Sequence, residues 1–360
     1  MNTCLVLGAG ATLAHALHFH SKRRVASNPP LDHTFFETIR ARGIAPAAEL
    51  NAYAAATPGS NPFLAVPGEH AMRMEEFFRD LFSDFQEDPK LTGAYEQLIS
   101  LYAQVLRQTT DWIGKDARKG GPVGRLIAAA ADVSDSLTIM TFNHDLVIEN
   151  ELIKRARLRR RWCLGQGYGS LSKQLHYNYS PPSLKAVFPL HGLSCDHSRP
   201  ITVLKLHGSL NWFIRMKGAH PSPDVLSGTS AAPQRIICSP RRGAPSQFRN
   251  KRRYSWPVLV PPVHGKEALI RTFLRPVWSD AQTALSTAQR LVFVGYSLPA
   301  LDVYAEHTFR RLVAANTNDL MWIDVVNPNP ESAQRYASLV KPKGVRWCPS
   351  IEAFLQLGSL

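Results

Sequence analysis

Two side chains, the amide of Asn143 and the imidazole of His207, have types and settings that point to shared chemistry. Asn143 lies in Thr141-Phe142-Asn143-His144-Asp145, directly after the apolar run Leu137 to Met140. His207 lies in Lys205-Leu206-His207-Gly208-Ser209, directly after Val203-Leu204. Short apolar runs of this kind read as buried strands. In parallel α/β sheets ligands bind outside the carboxyl ends of strands, so polar residues at two such ends can face one crevice. An imidazole exchanges a proton near neutral pH, which makes acid–base chemistry the natural expectation for such a pair.

The elements that must position this pair follow from periodicity and punctuation. Thr3 to Leu7 reads as a short buried strand running into Gly8-Ala9-Gly10-Ala11-Thr12 and a helix from Leu13. Glycines let backbone approach a ligand, and the helix N-terminus offers amide N–H groups and partial positive charge to a phosphate. Leu13 replaces the third glycine of the Gly-x-Gly-x-x-Gly pattern, so this segment alone fits either a nucleotide site or a tight turn. Residues 21–68, with Pro29-Pro30-Leu31-Asp32 and Pro58-Gly59-Ser60-Asn61-Pro62, read as a mobile loop excursion able to cover the pocket. A helical insertion follows over 69–136. Within it, Met74, Phe77, Phe78, Leu81 and Phe82, then Leu98, Leu101, Tyr102, Val105 and Leu106, recur at helical spacing and predict two packed amphipathic helices with core aromatics.

The pattern resumes with the strand at Leu137 to Met140 and a helix from Asp145 to Leu152. Residues 162–200 and 215–253 sustain no period and read as loop-rich insertions on either side of a strand at Ile201 to Leu206. Later come Val258 to Val260, a helix from Lys266 to Ala288, and a strand at Arg290 to Val294 ending in Gly295-Tyr296-Ser297-Leu298-Pro299-Ala300-Leu301-Asp302. A helix to Ala315, a strand at Leu320 to Val326 ending in Asn327, a helix, a strand at Val345 to Trp347 and a helix at Ile351 to Leu355 close the chain. Strands alternating with helices predict an α/β fold with a doubly wound, parallel, Rossmann-like sheet, here in a single domain over 1–360.

Composition narrows the class. With 360 residues, 44% of them hydrophobic, the chain can bury a sizeable core. No apolar run approaches the roughly 20 residues that span a bilayer, and Met1 leads straight into a strand-like segment, so the expectation is a cytoplasmic protein without membrane contact. Cys4, Cys163, Cys195, Cys238 and Cys348 are scattered, which argues against a disulfide framework and a Cys-x-x-Cys metal site. The 13 histidines show no metal-ligand spacing beside an acid; His144, His176, His191 and His197 read as structural or surface residues. The formal charge of +14 concentrates at Lys154, Arg155, Arg157, Arg159, Arg160 and Arg161, and again at Arg241, Arg242, Arg249, Lys251, Arg252 and Arg253. The first cluster fits a helix C-terminus and the second a solvated loop; both also fit contact with nucleic acid or an acidic partner.

Taken in order, the strand-end turns resemble those of the sirtuin-like NAD-consuming family, in particular its bacterial antiphage NADase branch. Gly8-Ala9-Gly10-Ala11-Thr12 is similar to the family's Gly-Ala-Gly-x-Ser/Thr turn, Thr141 to Asp145 to its Thr-x-Asn-x-Asp motif, and His207-Gly208 to its His-Gly motif. Gly295-Tyr296-Ser297-Leu298 is similar to its Gly-x-Ser-Leu turn, and Asn327 to its adenosine-side Asn. The resemblance implies NAD+ as substrate, held by Gly8, Ala9, Gly10, Ala11, Thr12, Asp145, Gly295, Tyr296, Ser297, Asp302 and Asn327. It implies Asn143 orienting ribose hydroxyls and a water, and His207 accepting a proton from one of them.

The departures shape the expectation. The two cysteine pairs that hold a structural zinc in protein-deacetylating sirtuins have no counterpart, nor has their Gly-Ile-Pro-Asp-Phe-Arg segment. Hydrolysis of NAD+ to nicotinamide and ADP-ribose is therefore favoured over lysine deacylation, with no metal required and a role in antiphage defence implied. A toxic activity calls for restraint, by homo-oligomerisation or by a separately encoded regulator such as a DNA-translocating ATPase or an Argonaute-like protein. The alternatives are an NAD-dependent deacylase or ADP-ribosyltransferase, and a non-catalytic NAD or ADP-ribose binding module.

Overall fold

Among the described residues ten strands form two sheets. The computed structural model describes residues 1–19, 28–57, 61–64, 72–113, 120–162, 167–177, 196–217, 223–229, 236–238, 253–261, 266–298, 302–316, 323–339 and 344–358. The strands are β1 (Asn2–Leu7), β2 (Ser136–Thr141), β3 (His176–Tyr177), β4 (Ile201–Lys205), β5 (Gly208–Lys217), β6 (Ile236–Cys238), β7 (Arg253–Leu259), β8 (Arg290–Val294), β9 (Ile323–Val326) and β10 (Val345–Cys348).

The larger sheet has the order β10-β9-β8-β1-β2-β4, parallel throughout. The chain builds outward from β1 to β2 and β4, then returns to the other side of β1 and builds outward again through β8, β9 and β10. Strand order thus reverses between β1 and β8, the place where doubly wound sheets open a ligand crevice. All five residues of β8 and all four of β9 are buried, as expected of parallel strands covered on both faces. The expected parallel α/β architecture is the one observed.

The smaller sheet, β3-β6-β5-β7, is antiparallel except for the β3–β6 pair. Its short strands β3 and β6 lie in the stretches 162–200 and 215–253, and β5 runs into the second of them, so these insertions are not purely loops. A long strand, β5, starts right after β4 because Gly208, at φ +88°, turns the chain out of one sheet and into the other. A Cβ there would sit 2.0 Å from the Val258 carbonyl oxygen on β7, so glycine is required.

The described part of 21–68 also departs from expectation. It forms the helices Phe35–Ala41 and Ala48–Ala56, and Phe35, Phe36, Ile39 and Leu50 are core residues rather than parts of an excursion. Proline and alanine frequency concealed this, because the apolar residues sit in two short helices with too few turns to establish a period. Phe36, Phe63 and Phe77 meet edge to face, which joins the segment to the helix Met74–Glu87. That helix packs on Thr92–Thr110, where Phe85 stacks on Tyr95 with ring centres 5.1 Å apart and Phe78 meets Tyr102. The two amphipathic helices and their core aromatics are as the periodicity predicts.

The first basic cluster is occupied within the fold. Arg161 donates to the carbonyls of Ala131, Ser134 and Arg199, and Arg199 donates to Ser134 at 3.0 Å. The Ala131 and Ser134 carbonyls lie at the end of the helix Pro122–Val133, whose negative end attracts cations. Arg157 pairs with Asp132 at 2.6 Å, and Lys154 and Arg155 pair with buried Glu151. Lys154 and Arg159 to Arg161 stand in the last turns of their own helices, as expected of cations at a helix C-terminus, and Arg161 also serves the end of a neighbouring helix. Of the second cluster, Arg241, Arg242, Arg249, Lys251 and Arg252 lie outside the described residues. Among the described residues no helix is long and apolar enough to cross a membrane.

Candidate functional site

At the reversal point the turn after β1 meets the turn after β8. The amide of Gly8 donates to Val294 at 3.0 Å and that of Gly10 to Gly295 at 3.0 Å, while Gly295 donates to Val326 at the end of β9. A Cβ on Gly8 would lie 2.5 Å from the Gly295 carbonyl oxygen, and one on Gly295, which has φ +58°, would lie 2.2 Å from the Ala11 nitrogen. These glycines let two turns interlock, and three of their amides are spent on backbone carbonyls rather than left for a ligand. Ala9 and Ser297 are exposed and Gly10, Asn143 and Gly295 half-buried, so the rim of this junction is reachable from solvent at the start of the helix Ala9–Phe19.

Asn143 is built into the junction. Its Nδ2 donates to the Gly8 carbonyl at 2.8 Å and to Thr12 Oγ1 at 2.9 Å. The Thr12 hydroxyl in turn donates to Asp145 Oδ2 at 2.7 Å, and Asp145 Oδ1 accepts at 2.9 Å from the amide of Val147, the first residue of the helix Val147–Lys154. Lys205, fully buried at the end of β4, donates to the Asp145 carbonyl and lies 3.4 Å from Glu149 Oε1. Asp145 therefore holds the turn. The amide's donors are committed to the scaffold, and among the described residues no group donates to its Oδ1, which is the atom left for a ligand.

His207 lies across Phe142 from this network, with ring centres 5.0 Å apart. Phe142 stacks flat on Tyr296, 4.1 Å away at 6°, and so ties the end of β2 to the turn after β8. The Tyr296 hydroxyl donates to Asp302 Oδ2 at 2.7 Å, Lys266 Nζ lies 2.7 Å from Asp302 Oδ1, and His207 Nε2 lies 3.7 Å from Asp302 Oδ2 without a hydrogen-bond partner among the described residues. The Val260 amide and the Trp278 indole fix the backbone here by donating to the His207 and Leu206 carbonyls.

The electrostatics of this group are sharply divided. Burial first, then the charge of Lys266, pushes the His207 imidazole down to about 3 against the opposing pull of Asp302, so the ring is neutral at physiological pH. Burial alone would raise the Asp302 carboxyl, but Lys266, His207 and the hydrogen bonds from Lys266 and Tyr296 outweigh it and hold the group below the ordinary carboxylate range. Glu75, half-buried at the start of the helix Met74–Glu87, is pushed up to about 7 by burial and by the charge of Asp32, with Lys266 opposing.

Most of the expected residues converge here: Gly8, Ala9, Gly10, Ala11, Thr12, Asn143, Asp145, Gly295, Tyr296 and Ser297 border one junction. His207 and Asp302 lie just beyond Phe142. Asp302 and Tyr296 are buried and bonded to each other, so they support the site rather than face a ligand. Asn327 lies two strands from β1, and its Oδ1 closes a turn by accepting from the Asn329 amide at 2.9 Å. Of the two readings for His144, structural or surface, the structural one holds: it is buried between Tyr102 and His207, with its ring centre 6.2 Å from that of His207. Lys205, Lys266, Glu75 and Tyr102 were not anticipated. Lys205 does stand inside the His207 motif, and a lysine closing a buried strand was the available signal; the other three come from elements far apart in sequence.

The sequence matches no protein-family model, and no curated protein matches it.

Proposed function

We propose that the chain is an NAD+ glycohydrolase that releases nicotinamide and ADP-ribose. The observation that carries this reading is the joining of Asn143 to the Gly8 turn at the strand-order reversal, with a neutral imidazole on the other side of Phe142. The helix N-terminus at Ala9 suits a pyrophosphate in charge, and the exposed rim at Ala9 and Ser297 gives it access.

Nicotinamide in NAD+ is already a cationic leaving group and needs no proton, so the barrier lies in forming an oxocarbenium-like carbon and delivering water to it. In this reading Asn143 Oδ1 accepts from a ribose hydroxyl or the attacking water and holds it in line. Neutral His207 accepts the proton released, and the nearby Asp302 carboxylate stabilises the imidazolium that forms. Lys266 opposes that charge, and its pairing with Asp302 sets how basic His207 is. The role in antiphage defence, and restraint by self-assembly or a separately encoded regulator, rest on the sequence resemblance.

A specific observation favours the binding-module reading as second: both donors of the Asn143 amide serve the scaffold, which a site without turnover would also retain. One experiment separates them. Pure protein is incubated with NAD+, and nicotinamide and ADP-ribose are quantified. His207→Ala is expected to lower release by roughly 10²–10⁴-fold, the usual contribution of a general base. Release that persists undiminished in His207→Ala and Asn143→Ala removes both residues from the mechanism, and tight NAD+ binding without turnover leaves the binding module.

A further inference from the structure

Thr141 pairs with Lys205 at the ends of β2 and β4, and the two turns that follow are tied together twice more. The Leu206 amide donates to the Thr141 carbonyl at 2.9 Å, and the Leu210 amide donates to the His144 carbonyl at 2.9 Å. Asn143 lies in the interval between these ties on one turn, and His207 in the interval on the other. A third tie comes from a side chain that the mechanism above leaves unused. The ammonium of Lys205, fully buried, donates to the Asp145 carbonyl and lies 3.4 Å from Glu149 Oε1. Glu149 Oε1 also accepts from the Tyr168 hydroxyl at 3.2 Å. The Tyr168 ring is held edge to face against Trp162 and Trp212, with ring centres 5.6 and 5.2 Å away.

We propose that Lys205 is a positioning residue for the candidate reaction, clamping the Asn143 turn at a fixed place relative to His207. The clamp reaches Asn143 through hydrogen bonds alone. Lys205 donates to the Asp145 carbonyl, the Asp145 carboxylate accepts from the Thr12 hydroxyl, and Thr12 Oγ1 accepts from Asn143 Nδ2. It reaches His207 along the backbone, two positions further on. Stability gives no reason for a charge here: desolvating an ammonium and a carboxylate commonly outweighs their attraction, and well-packed apolar residues at such sites are often as stable or more so. An apolar side chain, however, offers nothing to a peptide carbonyl. An ammonium donates to the carbonyl and the carboxylate at once, and so fixes the direction of the Asp145 peptide. Glu149, anchored by Tyr168, keeps the lysine from swinging away. Asn143 acts by orientation in the glycohydrolase reading, so a turn displaced by about 1 Å lowers the rate about 100-fold.

The kinetic half of this proposal rests on that reading, and the spectroscopic half does not. The variant that tests it is Lys205→Met combined with Glu149→Gln, which removes both charges together and keeps an acceptor for the Tyr168 hydroxyl. Urea unfolding is expected to give a midpoint close to that of wild type; failure to fold, or a large fall in the midpoint, makes the pair a stability element and overturns the proposal. In the protein without NAD+, exchange of the Asn143 side-chain amide protons with solvent is followed by NMR. Both donors are hydrogen-bonded in wild type and should be protected, and the double variant should lose that protection. In assays of nicotinamide release, kcat should fall about 100-fold while KM changes by less than about threefold. Wild-type protection in the folded double variant, kcat at the wild-type level, or a raised KM with unchanged kcat each overturns the proposal. Lost protection together with no release from any protein, wild type included, sinks the glycohydrolase reading and leaves Lys205 as the clamp on the Asn143 turn.

Discussion

Lys266 and Asp302 form a buried ion pair, Nζ to Oδ1 2.7 Å, at the edge of the candidate site. Neither side chain is more than 4% exposed. A pair so placed draws its value from staying matched, since either charge alone would face a low-dielectric interior.

Lys266→Met should therefore destabilise the protein by about 3–5 kcal/mol at pH 7, the usual consequence of stranding a buried charge. Adding Asp302→Leu should recover much of that loss. Urea unfolding of both single variants and the double variant measures the coupling, and additive losses would show that the pair is not matched.

His207 makes stability depend on pH in a defined sense. Its folded pKa lies near 3 against an ordinary 6.5, so between those values the unfolded chain binds the extra proton and acidification favours unfolding. Wild type should lose stability relative to His207→Gln as pH falls from 6.5, with a limiting slope of about 1.4 kcal/mol per pH unit. Chemical denaturation of the two proteins at pH 4.5, 5.5 and 7 tests this.

Asn143 allows the scaffold and catalytic contributions to be separated. Asn143→Ala removes two hydrogen bonds and should cost about 1–3 kcal/mol. Asn143→Asp should be worse despite its identical size, because it aims a carboxylate at the Gly8 carbonyl beside Asp145. Melting temperatures in that order support donation from Nδ2 to the Gly8 carbonyl; the reverse order would contradict it.

The interlocked turns predict a steep response to one methyl group. Gly295→Ala combines a positive φ with a Cβ 2.2 Å from the Ala11 nitrogen and should destabilise by about 1–3 kcal/mol or more. Gly344→Ala, where a Cβ meets nothing within 4 Å, serves as the control. Equal melting temperatures for the two would contradict the packing described here.

The parallel sheet was legible because its strands are short runs of buried apolar residues, such as Leu291 to Val294, separated by helices of clear period. The strand-end turns were legible for the same reason: a polar or glycine residue directly after such a run has few other places to be. Phe35, Phe36 and Ile39 were not, since a helix of seven residues holds barely two turns of pattern. Lys266 was hidden because nothing in its local sequence marks burial; only the fold brings it to Asp302. Asn143 and His207 were readable as candidate residues at strand ends, but not the arrangement in which both donors of the amide hold the turn.

The strand-order reversal also governs how this chain must be made. Asn2 and Gln289, hydrogen-bonded neighbours at the foot of β1 and β8, are 287 positions apart. At about 5–20 residues per second, β1 waits on the order of tens of seconds after synthesis for its partner β8. Over that interval a strand with the apolar run Cys4 to Leu7 has one edge open to other nascent chains. Efficient synthesis should therefore depend on holdase chaperones, and shortening the chain ahead of β8 should yield aggregates rather than a smaller folded protein.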